Sequence, residues 1–289
     1  MNQVKLRGKI KNIINGWVPP IVVSAFKKPE IRIQVQHKIE PQIWSGNYET
    51  WSDAKARSTG YDGVTILEKC KTALLKVKNG EAVYERDSVL FDEIEYSWGL
   101  LAGLQRAALE SNGKLCVMDF GGSLGSTYYQ NKDFLQALDH LQWCIVEQSN
   151  FVDCGKQYFE NEELKFYYTV DECILKHKPN VLLLSSVLQY LERPYEWIAK
   201  FVALKIPYII IDRTAFVDSE RDILSVQNVP EEIYKASYPA WFFGEKFVRA
   251  FTGKYRSIAK FDSGFTNPVQ LDKGIRGYWE GMILHKIDT

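Results

Sequence analysis

The chain has 289 residues, 46% of them hydrophobic and 25% charged, with 36 Lys and Arg against 36 Asp and Glu. That length suits one large domain with an appendage or two small domains, and the zero formal charge speaks against a broad basic field for nucleic acid. Five cysteines, an odd number without C-x-x-C spacing, fit a reducing cytoplasmic compartment. Four scattered histidines with no Cys/His cluster in the sequence give no expectation of a metal.

Charge is uneven along the chain. Residues 1–40 carry eight basic side chains against Glu30 and Glu40, a net of +6, which leaves −6 for the remainder. Leu6, Ile10, Ile13, Ile14 and Trp17 fall on one face of a helix, with Lys5, Arg7, Lys9 and Lys11 mostly off it. Such a helix suits an anionic membrane surface, so residues 4–17 are expected to make a peripheral membrane contact. The plainer alternative is a helix docked on the body with its basic side in water. Pro19-Pro20 ends it and interrupts what would otherwise pass for a signal peptide, and no run of 18 apolar residues suggests a transmembrane helix.

Residues 31–36 alternate and predict a strand or extended arm, which makes 1–40 a basic N-terminal arm. Residues 41–112 read as a helical cap region. One helix is expected from near Ser52 or Asp53, a second from Asp62 to Gly80, and a third from about Asp92 to Ser111. Thr59-Gly60-Tyr61-Asp62 reads as a tight joint between the first two.

From residue 113 to 289 short apolar runs alternate with helical stretches. Strands are predicted at Leu115–Met118, Trp143–Val146, Leu164–Tyr167, Val181–Leu184 and Tyr208–Ile211. Helices are predicted at Tyr129–Leu141, Phe151–Phe159 and from Pro194 to about Ala203. This pattern predicts an α/β fold with a doubly wound, mostly parallel sheet. A lid insertion is expected at about 215–252, with helical signal near Glu231 and from Glu245 to Phe251. Two late strands, about Tyr255–Phe261 and Gly277–Ile287, predict a C-terminal antiparallel hairpin.

In such a sheet, ligands bind at the carboxyl ends of the strands. The first strand ends at Asp119, followed by Phe120-Gly121-Gly122-Ser123-Leu124-Gly125 and a helix. A glycine-rich turn lets a ligand approach the backbone, and the helix N-terminus offers N–H groups. The G-x-G-x-x-G dinucleotide pattern is not met, because Ser123 and Ser126 stand where its later glycines belong. Asp119 before the loop suits a cationic amine better than a pyrophosphate. Glu147, with Gln148 after it, ends the second strand, where a carboxylate can accept both hydroxyls of a ribose. It serves an adenosyl cofactor or NAD equally, and a surface acid is its plain alternative.

Ser185 and Ser186 end the fourth strand, with Gln189 and Tyr190 following. Asp212 and Arg213 end the fifth. Asp212 is the first candidate general base for a hydroxyl and Tyr190 the second, while Arg213 is a candidate for an anionic substrate group. Away from the sheet, Arg86 is a candidate for a cofactor carboxylate, and Tyr238 and Trp241 for an acceptor pocket. Packing and capping are the plain alternatives for these three.

As an ordered set these residues resemble a bacterial group of class I S-adenosylmethionine-dependent methyltransferases associated with surface-polysaccharide gene clusters. The resemblance runs from about Trp44 to Phe261. It is carried by Trp44–Tyr48 with Trp51, Thr59–Asp62, Tyr84–Ser88, Asp119–Ser126, Trp143–Gln148, Ser185–Tyr190 and Ile211–Thr214. It implies a Rossmann-like, seven-stranded class I methyltransferase sheet and S-adenosyl-L-methionine as cofactor. Cofactor contacts are then expected at Asp119, Gly121, Gly122, Ser123, Gly125, Glu147, Gln148, Ser185, Ser186 and Arg86. Methyl transfer to an oxygen of a sugar or glycan acceptor is the expected reaction. Two alternatives stay open: an NAD-dependent oxidoreductase, and a non-catalytic cofactor-binding partner protein in envelope biosynthesis.

Overall fold

The structure is a computed structural model that describes residues 43–60, 63–229, 236–263, 268–271 and 274–287. The predicted amphipathic helix, the arm at 31–36 and the helical signal near Glu231 lie outside those residues.

A parallel sheet forms the centre. It contains β4 (Lys114–Phe120), β5 (His140–Val146), β6 (Leu164–Tyr167), β7 (Val181–Ser185) and β8 (Tyr208–Val217). The late strands β11 (Tyr255–Asp262) and β13 (Arg276–Lys286) complete it. The order is β11-β13-β8-β7-β4-β5-β6, with the short β12 (Val269–Gln270) pairing with β13. Of the main path, β13 alone runs antiparallel to both its neighbours, so the last strand inserts between the fifth and sixth of the series.

Alternation explains why both faces are covered. Val181 and Leu183 of β7, with Tyr208 and Ile210 of β8, enter one apolar cluster, while Leu182, Leu184, Ile209 and Ile211 enter the other. The first cluster is closed by α3 (Trp98–Glu110), α4 (Ser126–Leu135) and α5 (Ser149–Tyr158), with α2 (Gly63–Lys78) over them. The second is closed by α6 (Val170–Lys176), α7 (Pro194–Ala203) and α8 (Lys246–Arg249).

Several elements differ from the predicted ones. The third predicted helix begins at Trp98 and not near Asp92; its N-cap, Ser97, donates its hydroxyl to Asp212 and makes no capping bond. The helix predicted to run to Leu141 stops at Leu135, since His140 already pairs with Lys114 in the sheet. The helix expected from Glu245 to Phe251 is a single turn, α8. The fifth core strand continues past Thr214 to Val217.

The predicted helical cap region holds α1 (Trp51–Ala56), α2 and α3, and also three strands that periodicity did not reveal. Two form a hairpin, β2 (Tyr84–Arg86) with β3 (Val89–Phe91). The third, β1 (Trp44–Tyr48), pairs with β9 (Ile223–Asn228) from the predicted lid insertion, and β9 pairs with β10 (Ser237–Phe242). α1 packs on this small antiparallel sheet through Ala54 against Leu224 and Val226. Thr50 caps α1 by accepting from the Asp53 N–H at 3.2 Å. Among the described residues no helix is long and apolar enough to cross a membrane.

Candidate active site

A cleft of about 1320 Å³ opens at the carboxyl ends of the parallel strands. The chain places β5 and β6 on one side of β4, and β7 and β8 on the other, so the strand order reverses between β4 and β7. Loops leaving those two strands must part there, and the gap between them is where open α/β sheets bind ligands. Gly121–Ser123 after β4 and Ser185–Val187 after β7 both line the cleft. Glu147 and Gln148 after β5 line it from one side, and Trp51, Gln227 and Tyr238 of the small sheet and α1 form the opposite wall.

The glycine loop is tightly wound. Gly121 has φ 75° and Gly125 has φ 107°, conformations that suit glycine. A Cβ on Gly121 would stand 2.4 Å from the Val187 side chain, so the two loops touch with no room for one. Ser123 has φ 53°, where a glycine would relieve strain of about 1–2 kcal/mol. Its backbone N–H faces Glu147 and supports the ionised carboxylate, while burial pushes the Glu147 pKa up more strongly.

Strain is concentrated around this cleft. Seven non-glycine residues among those described have positive φ, and four of them, Asp87, Ser123, Ser186 and Arg213, line it. Such outliers persist where surrounding contacts hold them, and they cluster at functional sites. Asp87 and Ser88 form the tip of the β2–β3 hairpin, both left-handed as a tight two-residue turn requires. Glu85 anchors this tip. Its carboxylate accepts from the Ser88 N–H at 3.2 Å and from the Ser126 hydroxyl in the first turn of α4. It is only 2% exposed, and burial raises its pKa to about 7.

Arg213 owes its position to a bulge. Ile211 pairs with Met282 and Thr214 with Glu280, so β8 advances three residues where β13 advances two. The extra residue turns consecutive side chains to new directions. Arg213 lines the cleft, with its Nε donating to the Ser185 hydroxyl at 3.3 Å and lying 3.6 Å from the Asp212 carboxylate. Gln189 holds the turn after β7 by donating from Nε2 to the Arg213 carbonyl at 3.1 Å.

Of the residues expected at the site, Gly121, Gly122, Ser123, Glu147, Gln148, Ser185, Ser186, Arg86, Tyr190, Arg213 and Tyr238 line this one cleft. Asp119, Gly125, Asp212 and Trp241 stand behind its wall. The Asp119 carboxyl is buried under Gly122, accepts from the Trp143 indole N–H at 2.9 Å, and has its pKa raised to about 7 by burial. Asp212 accepts from Ser97 and Ser185, each at 3.1 Å, and is buried. The first candidate general base does not line the cleft: its carboxylate lies behind the wall, held by these two hydroxyls. Trp241 donates to the Leu191 carbonyl at 3.1 Å and stacks on Trp51, which itself lines the cleft. Glu85 and Cys70 were not singled out from the sequence. They reach the cleft from β2 and α2, away from the carboxyl ends of the parallel strands.

No family model matches the sequence, and no curated protein matches it significantly. Solved structures with a similar chain path include CalS10, an amino pentose methyltransferase from Micromonospora echinaspora, solved with SAM bound. It is 11% identical with a TM-score of 0.41, the match covering 66% of this chain and 92% of that one. Another is the N-terminal domain of EvdMO1 in the presence of SAH and D-fucose, at 10% identity and a TM-score of 0.44 over 79% and 98%. A third is the 1,6-didemethyltoxoflavin-N1-methyltransferase of Burkholderia thailandensis, at 13% identity and a TM-score of 0.39 over 87% and 99%. At this level of identity the chemistry of the cleft has to be read from its own residues.

Proposed function

We propose that the chain is an S-adenosyl-L-methionine-dependent methyltransferase acting on an oxygen of a sugar or surface-glycan precursor. The observation that carries the reading is the joint placement of the glycine loop and Glu147 on one cleft at the strand-order reversal. The donor set fits the cofactor: Glu147 for the ribose diol, loop backbone for the amino acid part, Arg86 for a carboxylate, and Glu85 and Asp87 for cationic groups. When bound, the cofactor supplies an electrophilic methyl group. The inserted antiparallel strand β13 also separates this sheet from the 3-2-1-4-5-6 order of NAD-binding folds.

The protein's own work is alignment and proton removal. Tyr190 replaces Asp212 as first candidate for the proton acceptor. Its hydroxyl donates to Gln227 at 2.9 Å, its ring meets Tyr238 edge-on at 5.3 Å, and it lies within the field of Arg213. Arg213, held by Ser185 and Asp212, orients an anionic group of the acceptor. The aromatic wall from the small sheet offers flat surface for a sugar ring.

Titration calorimetry with S-adenosylmethionine and S-adenosylhomocysteine tests the cofactor assignment. Wild type is expected to bind both, and Glu147→Ala to bind at least about tenfold more weakly, each lost ribose bond to a charged group contributing roughly 1.5–3 kcal/mol. Absence of heat with wild type sinks the assignment. Tyr190→Phe is expected to keep cofactor affinity while turnover of a methylated envelope glycan falls by about 10²–10⁴.

A further inference from the structure

Three of the five cysteines gather outside the cleft, two on one face of β4 and β5 and the third on α6. Cys116 and Met118 share one face of β4, and Cys144 is the register partner of Met118, so Cys116 and Cys144 project from the same face. α6 brings Cys173 over them, and His177 follows its last turn. The ligand atoms of Cys116, Cys144 and His177 lie within 4.8 Å of one another. The hydroxyl of Tyr167 sits 2.5 Å from His177 Nε2, which leaves Nδ1 for the sulfurs. A separate cavity of about 400 Å³, lined by both Cys116 and His177, leads to the cluster from the foot of the sheet. None of these groups belongs to the cleft.

Two sulfurs this close suggest either a disulfide or a shared ligand, and strand geometry separates the two. Adjacent strands lie about 4.8 Å apart and rise about 3.3 Å per residue, so positions offset by two residues have Cα atoms about 8 Å apart. A disulfide spans at most about 7 Å between Cα atoms. The sulfurs therefore converge on a point between them without being able to join.

We propose that Cys116, Cys144 and His177 form a site for a thiophilic divalent cation of the zinc class, with a cavity water as fourth ligand. Two thiolates and an imidazole are the ligand types zinc selects, and three protein ligands plus water complete a tetrahedron. Binding releases one proton from each thiol to solvent, so two thiolates offset the two positive charges. Lys114, Lys176 and Lys178 line the same cavity. The Tyr167 contact is the outer hydrogen bond that orients a ligating histidine. Such a site would tie the residue that follows α6 to β4 and β5.

The test uses the full-length chain, reduced and stripped with chelator, titrated with cobalt(II) and then zinc(II). One equivalent of cobalt(II) is expected, with thiolate-to-metal charge-transfer absorption and tetrahedral visible bands, displaced by zinc(II) with a rise in Tm. Cys116→Ser and His177→Gln are expected to weaken binding by more than about 100-fold, and Tyr167→Phe by about 10- to 100-fold. Cys154→Ser, whose thiol lies in the other core cluster, is expected to bind as wild type. Both substituted positions are half-buried, at the edge of the cluster, and circular dichroism of the metal-stripped variants is the check that they fold like wild type. The proposal is overturned if reduced wild type takes up no metal, if Cys116→Ser and His177→Gln bind as wild type, or if thiol counting and mass mapping find a Cys116–Cys144 disulfide.

Discussion

Asp119 carries its carboxyl at the base of the glycine loop, where the Trp143 indole N–H donates to it and burial raises its pKa from 3.8 to about 7. A raised folded pKa means the folded chain holds the proton more tightly than the unfolded one. Its stabilising effect is complete below about pH 4 and is lost as pH rises through about 7. Asp119→Asn keeps an oxygen for Trp143 and has no charge to desolvate. Urea unfolding at a series of pH values is expected to show the variant gaining on wild type between about pH 4 and pH 7. The gain levels off above that at an amount on the order of 2–4 kcal/mol. A wild-type curve parallel to the variant's at all pH values contradicts this role. From the sequence the first core strand is expected to end at Asp119, whereas β4 runs one residue further, to Phe120, and a boundary one residue off leaves open whether a side chain near the strand end points into the core or out to the cleft. The same limit applies to Asp212, whose neighbour Arg213 reaches the cleft only through a bulge that no local pattern announces.

At the scale of elements, one joint holds the small sheet to the segment after α1. The Thr59 N–H donates to the Ser237 hydroxyl at 2.8 Å, the Ser237 N–H donates to the Thr59 hydroxyl at 2.9 Å, and the Gly60 N–H donates to the Ser237 carbonyl at 3.1 Å. Ser237→Ala removes the first of these and leaves the others. A loss of about 1 kcal/mol in stability is expected. Because Tyr238 is the next residue on the cleft wall, KM for the acceptor is expected to rise while cofactor affinity holds, as steady-state kinetics and calorimetry would show. An equal loss of both contradicts the wall's assignment to the acceptor. The core strands were legible because burial on both faces demands continuous apolar runs such as Val181–Leu184. The hairpin at Tyr84–Phe91 was not, since each of its strands spans three residues. Nor was β10, whose Pro239 and aromatic run mask alternation. The strand β1 lies almost 180 residues before its partner β9, beyond the reach of any window.

Across the whole molecule, the order of the sheet places one reversal at β4 and β7, and the cleft follows from it. Four carboxyl groups around that point, Glu85, Asp119, Glu147 and Asp212, have pKa values raised by burial. A cationic ligand favours their ionised forms, so its binding expels protons and strengthens as pH rises. S-adenosylmethionine, with its sulfonium, is expected to gain roughly 3- to 10-fold in affinity between about pH 6 and pH 8. S-adenosylhomocysteine, a neutral thioether at the same atom, is expected to gain less. Calorimetry in buffers of different ionisation enthalpy reads both the affinity and the proton count, and equal pH profiles for the two ligands contradict the charge argument.

The small sheet also sets a timetable. β1 near the start of the described chain has no partner until β9 and β10 exist, because its register runs from Trp44 to Gln227. At roughly 5–20 residues per second on a ribosome, that gap lasts roughly 10 to 40 s. During it the parallel strands β4 to β8 emerge in order and can assemble from their own neighbours. Trp44 and its strand wait, with an unpaired edge facing water. The wall formed by the small sheet is thus the last part of the cleft to be built, and a nascent chain stalled before residue 223 has the loops after β4, β5 and β7 but lacks the strand that seats β1. Any holding factor that acts on this protein during synthesis is expected to act at that first strand.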